Sequence, residues 1–134
     1  MRKTITFLDS GVLISAHRGE PAIRKRALAL LDDPGRTFVT SDFVRLEVLP
    51  KATYNKRLDE VSFYKAFFAI AKVQPLSRKL VETALAEAIK WGLSAIDAFH
   101  VAAAKVKGCG ELYTTERLGK PLFRVKNLRV ISLA

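Results

Sequence analysis

Short apolar runs alternate along this chain with longer segments in which apolar residues recur every three to four positions. The short runs are Thr4 to Leu8, Thr37 to Thr40, Leu112 to Thr115 and Arg129 to Leu133, with a weaker one near Val73. They fit strands buried on both faces of a parallel sheet, because a strand solvated on one face alternates polar and apolar residues. The longer segments read as helices. Ala22 to Leu31 sets Ile23, Ala27, Leu28 and Leu31 on one side and Arg24, Lys25 and Arg26 on the other, then stops at Asp32-Asp33-Pro34-Gly35. Arg78 to Trp91, behind a Ser77 cap, carries Leu80, Val81, Ala84, Leu85, Ala88 and Ile89 on one stripe, with Glu82 and Glu87 on its solvated side. Leu58 to Ala71 is helical and aromatic; its Phe63, Tyr64, Phe67 and Phe68 suit core packing, a stacking platform for bases or a partner surface.

Strands separated by helices call for a parallel sheet with its faces covered, so the expected fold class is α/β. No repeat, low-complexity tract or Gly/Ser linker divides the 134 residues, which is the size of one domain spanning 1–134. The basic start, Arg2 and Lys3 before apolar residues, imitates a signal peptide, but Asp9 and Ser10 interrupt the run and a strand is the better reading. No stretch approaches the eighteen or so apolar residues that cross a bilayer. A single cysteine, Cys109, offers no internal disulfide and no zinc spacing, consistent with a reducing compartment and a soluble, cytoplasmic protein without membrane partners.

Charge adds the first functional clue. The chain holds 23 Lys+Arg against 13 Asp+Glu, a formal net charge of +10. The excess is shared between the halves, 12 basic to 8 acidic in residues 1–67 and 11 to 5 in residues 68–134, so it is not a tail. A surface of this kind attracts polyanions, nucleic acid above all, although a merely solvated basic surface has the same composition.

In so basic a protein the informative acids are those where a carboxylate is expensive. Asp9 closes the run Ile5-Thr6-Phe7-Leu8, at the carboxyl end of the first strand, where open parallel sheets bind ligands. Glu47 lies in Phe43-Val44-Arg45-Leu46-Glu47-Val48-Leu49, a helical segment apolar on nearly every side that Pro50 should bend or restart. Asp97 lies in Ser94 to Ala104, a helix apolar enough all round to be buried. Each also has a plain structural use: Asp9 as a strand end or helix cap, Glu47 paired with Arg45 or Lys51, Asp97 as the acid of a capping box begun by Ser94. Glu116, after Leu112-Tyr113-Thr114-Thr115, reads alone as an exposed loop acid. Taken as a set the four say more. Converging carboxylates about 4 Å apart repel by roughly 4 kcal/mol at an effective dielectric of 20, so a shared proton or a cation must neutralise them. Oxygen ligands without a His or Cys constellation suit Mg2+ or Mn2+. Acid-held metals facing a phosphodiester activate water, which agrees with a polyanionic substrate.

Phe7-Leu8-Asp9-Ser10-Gly11-Val12-Leu13-Ile14, Ser41 to Leu49 around Glu47, Ser94 to Ala104 around Asp97, and Leu112 to Glu116 resemble, in this order, the motifs of the PIN-domain family, and toxin ribonucleases of VapC type most of all. The resemblance implies a three-layer α/β/α sandwich with a mainly parallel sheet. It implies that Asp9, Glu47, Asp97 and Glu116 are the catalytic, metal-binding acids, holding Mg2+ or Mn2+ that activates water to cut RNA. It also implies a cognate antitoxin protein and a homodimer. Two positions depart from the pattern: Glu116 stands where Asp is more usual, and Gly11 replaces a small polar residue.

The expected mechanism is attack of water on phosphorus with expulsion of a 3'-oxygen, Ser10 and Thr115 positioning water and Arg117, Lys120, Arg124, Lys126 and Arg129 tracking the RNA backbone. No acid interrupts residues 117–129. His100, three residues after Asp97, suits either a packed histidine or a general base. A phosphatase of the haloacid-dehalogenase type also starts with a strand ending in Asp, but needs a second Asp where Gly11 stands. The rival from another class is a non-catalytic RNA- or protein-binding module with a degenerate acidic pocket.

Overall fold

The structure, a computed structural model, describes residues 3–134; Arg2, half of the basic start, lies outside them. Five strands form one sheet: β1 (Thr4–Leu8), β2 (Arg36–Ser41), β3 (Lys72–Gln74), β4 (Glu111–Thr114) and β5 (Arg129–Ser132). Every pairing is parallel and the order is β3-β2-β1-β4-β5. The helices are α1 (Ser10–Arg18), α2 (Pro21–Leu31), α3 (Asp42–Tyr54), α4 (Leu58–Ile70), α5 (Arg78–Trp91) and α6 (Ala95–Val106). Phe7 meets His100 of α6, while Phe38, which shares the opposite face with Thr6, meets Phe67 of α4. Helices therefore cover both faces, as the α/β/α expectation requires. The buried core runs through the sheet: Phe7, Leu8, Val39 and Leu112 are fully enclosed, which is why the strand runs lack polar alternation.

Local chemistry sets the helix boundaries. Ser41, Ser77 and Ser94 accept the amides of Val44, Leu80 and Asp97, and Gly92 ends α5 in the left-handed region at φ 70°. Pro50 neither ends nor restarts α3, which runs on to Tyr54. The missing proline N–H frees only the Leu46 carbonyl, on an exposed turn that water can serve, while Val48 and Ala52 keep the inner face buried. The α5 stripe is split: Leu80 and Ala84 are buried, but Val81, Leu85 and Ile89 are exposed. Glu87, expected in solvent, instead accepts from the Trp91 indole at 2.8 Å and pairs with Lys105 at 2.5 Å, tying α5 to α6. The aromatic helix α4 turns Tyr64 and Phe67 into the core and leaves Phe63 and Phe68 half-buried. Among the described residues no helix is long and apolar enough to cross a membrane.

Candidate active site

The strand order fixes where a site can form. From β1 the chain steps outward through β2 to β3, then returns to the other side of β1 for β4 and β5. The reversal opens a crevice beyond the carboxyl ends of β1 and β4, the position where open α/β sheets bind ligands. Asp9 follows β1 there, and Thr114 and Thr115 stand at the end of β4.

Asp9 is 6% exposed. Its Oδ1 accepts the Val12 amide at 3.1 Å and so caps α1, a helix that the sequence pattern showed only as an apolar run after Asp9. Burial pushes its carboxyl above the usual carboxylate range; His100, the Thr114 hydroxyl and the Val12 amide oppose that shift, and the Asp97 charge adds to it. Capping and chemistry are therefore not alternatives for Asp9, since one oxygen serves the helix while the group stays in the crevice. Asp97 is half-buried in the first turn of α6 behind the Ser94 cap, close enough to act on Asp9.

Glu47 comes from α3 with its side chain 22% exposed, and pairs with neither Arg45 nor Lys51; Arg45 is engaged by Asp42 at 3.0 Å. Its Oε1 lies 3.3 Å from His100 Nε2. The approach is close but poorly aligned, so Oε1 remains a buried oxygen with no hydrogen bond. His100 itself is 2% exposed and connects the groups, since it faces Glu47 and also acts on Asp9. Asp9, Glu47 and Asp97 thus share one neighbourhood around His100.

Glu116 differs. It is exposed, and only its backbone is engaged, the amide by Thr114 Oγ1 and the carbonyl by Ser132. Among the described residues its carboxylate makes no ion pair or hydrogen bond, and no three His, Cys, Asp or Glu side chains converge as a ready metal cage. The donor chemistry nevertheless fits a hard divalent cation. A buried carboxylate oxygen lacks a partner, and a second carboxyl is burdened by both burial and a neighbouring acid. Gly11 has a steric reason: a Cβ there would collide with Thr115 Oγ1 and touch Asp9 Oδ1 at 3.4 Å.

The basic segment after Glu116 is more ordered than a solvated loop. A 3-10 turn, Pro121–Arg124, is pinned by the buried Leu122, Val125 and Leu128, and Arg124 donates to the Trp91 carbonyl at 3.3 Å. Arg117, Lys120, Lys126 and Arg129 stay exposed. Sequence reasoning missed two acids buried more deeply than Glu47. Glu60 accepts from the Tyr64 hydroxyl at 2.6 Å between Arg18 and Arg57, and Glu111 takes Thr6 at 2.7 Å and Arg36 at 2.8 Å. The signal for Glu60 was its spacing, three after Arg57 and four before Tyr64. Glu111 depends on a cross-strand neighbour 105 positions away.

Solved structures share this architecture. A toxin-antitoxin complex from Klebsiella pneumoniae aligns with TM-score 0.74 at 20% identity over 96% of this chain and 98% of that one. VapBC2 from Rickettsia felis, bound to a DNA fragment from its promoter, gives 0.71 at 19% identity over 96% and 98%. VapC20 from Mycobacterium tuberculosis, described as a sarcin-ricin loop cleaving toxin, gives 0.60 at 19% identity over 80% and 86%. Comparison with curated proteins gives no match. The profile of the PIN domain matches residues 6–118, which contain the end of β1 and all four acids, and the chain belongs to the PIN domain family.

Proposed function

We propose that this PIN domain is a Mg2+- or Mn2+-dependent endoribonuclease and the toxin of a type II toxin-antitoxin pair, acting in the cytoplasm as a homodimer held in check by a cognate antitoxin. The observation that carries the reading is Asp9, a carboxylate sealed at the switch point of the sheet with Asp97 acting on it and Glu47 offering an unpartnered buried oxygen nearby. Support for the substrate class comes from the net charge of +10 and from the likeness to a toxin that cleaves the sarcin-ricin loop.

Asp9, Glu47 and Asp97 would hold the cation, with Glu116 completing the set from the rim of the crevice. Bound there, Mg2+ or Mn2+ supplies charge neutralisation and an activated water for hydrolysis of a phosphodiester. The protein's own residues do the rest. Asp9 is held by its α1 cap and by the Thr114 hydroxyl, so it would meet the cation with little rotamer entropy to lose. The Thr115 hydroxyl, lying against Gly11 beside Asp9, and Ser10 position water at the mouth. Arg117, Lys120 and Lys126 stand exposed for the RNA backbone and Arg124 also braces α5, whereas Arg129 starts β5 opposite Glu111 at the amino end of the sheet, away from the crevice.

The test is cleavage of mixed RNA by the purified protein with Mn2+ or Mg2+. Cleavage should stop with EDTA and fall by orders of magnitude in Asp97→Asn; activity surviving either treatment refutes the scheme. The non-catalytic module draws support from the exposed Glu116, and predicts tight RNA binding without turnover and a melting temperature indifferent to Mn2+.

A further inference from the structure

His100 is a deeply buried titratable side chain beside the crevice that the mechanism leaves idle. It sits 2% exposed on α6, with the Phe7 ring 5.7 Å away, tilted, and the Phe43 ring 6.2 Å away, edge-on. Those rings set the imidazole plane. Its two nitrogens differ sharply: Nε2 lies 3.3 Å from Glu47 Oε1, while Nδ1 is buried without any hydrogen-bond partner. The 3.3 Å approach is not aligned as a hydrogen bond, but a tautomer with its hydrogen on Nε2 brings a donor within a small rotation of Glu47 and leaves at Nδ1 only a lone pair. The other tautomer would bury an N–H with no acceptor and set two lone pairs, one on Nε2 and one on Glu47, against each other.

We infer that His100 is a positioning residue whose Nε2–H aims the Glu47 carboxylate from α3 into the crevice, and so sets the affinity of the site for a divalent cation. This rests on the metal-binding reading above. Glu47 needs such a guide. Arg45, two residues earlier on α3, is taken by Asp42 of the same helix, and Glu47 Oε1 has no hydrogen-bond partner. A carboxylate has about four acceptor sites, so one taken by the imidazole leaves room for the cation. Outer partners of this kind hold ligands in register, and losing one weakens metal binding by about 10- to 100-fold.

The experiment is titration of the whole protein with Mn2+ alone, by calorimetry without RNA, comparing wild type, His100→Gln and His100→Asn. The glutamine amide reaches as far as Nε2, the asparagine amide only as far as Nδ1, and both place an equally polar group between the same rings. The expected result is affinity within about three-fold of wild type for Gln and about 10- to 100-fold weaker for Asn. Equal affinity in both variants, or a loss in Gln as large as in Asn, overturns the inference. Wild type that takes up no Mn2+ overturns the metal reading and this inference with it, whereas binding by wild type with an unaffected Asn variant overturns this inference alone. Should a variant fail to fold, the 15N spectrum of the wild-type imidazole decides: Nε2–H is required, and a hydrogen on Nδ1 with none on Nε2 refutes the role.

Discussion

Replacing Asp9 by Asn should make the metal-free protein more stable while destroying its cation site. Asn caps a helix about as well as Asp, so the bond from the Val12 amide survives and the change removes little but charge. That charge is costly where it sits: burial raises the Asp9 pKa above its ordinary 3.8, Asp97 adds to the rise, and His100, Thr114 and Val12 offset only part of it. Each unit of such a rise costs the folded state about 1.4 kcal/mol once the carboxyl is ionised. Relief of a partly compensated buried charge is worth on the order of 1 to 3 kcal/mol. At 134 residues this is a rise of roughly 4 to 12 °C in melting temperature at pH 7. The pH dependence has a definite sign. Below pH 3.8 Asp9 is protonated whether the chain is folded or unfolded, and the penalty is absent. As pH rises towards the folded pKa the unfolded chain has already released its proton, so the wild-type native state loses stability relative to the D9N variant, and the loss is complete above that pKa. Differential scanning calorimetry of both proteins from pH 4 to pH 7 in EDTA measures the gap, which should widen with pH. Saturating Mn2+, at about a hundred times its Kd, should then add about 2.7 kcal/mol to wild type and little to D9N. A variant less stable than wild type at pH 7 without metal, or a gap that is flat with pH, would refute the claim that Asp9 is held at a cost.

Gly11→Ala should destabilise by about 1 to 3 kcal/mol, because the new methyl displaces Thr115 from beside Asp9; RNA cleavage should fall more than urea-measured stability predicts. Tyr64→Phe removes the hydroxyl donor to the buried Glu60 and should cost about 1 to 3 kcal/mol in urea denaturation, with cleavage per folded molecule unchanged. Lys126→Ala, exposed beyond the 3-10 turn, should weaken RNA binding alike for all sequences and lower the salt dependence of log K by about one; an unchanged slope would remove Lys126 from the RNA path.

The inner strands β1, β2 and β4 and their burial were legible in the sequence, because a strand covered on both faces leaves an uninterrupted apolar run; β5, expected to be buried as well, lies at the sheet edge and has no buried residue. Thr4–Leu8 came out to the residue, and so did α5, bounded by Ser77 and Gly92. Periodicity could not separate inside from outside where the apolar stripe was wider than the contact beneath it, hence the exposed Val81, Leu85 and Ile89. It also passed over α1, since Ser10 to Arg18 begins as an extension of the first strand's apolar run and only the Asp9 cap marks the turn. The nature of the acids at 9, 47 and 97 was readable as carboxylates in apolar company. That Asp97 acts on Asp9 and that Glu47 lies against His100 was not: it depends on the reversal of strand order between β1 and β4, and on one imidazole reaching from α6 to α3. Residue types and local spacing decide which segments can bury their faces, because those preferences act within a turn or two of the chain. Which charges share a crevice, which must find a cation and which, like Glu111 with Arg36, settle with a cation from a distant strand is decided by packing alone, since Coulomb energies in a low-dielectric interior depend on distance in space and not along the chain.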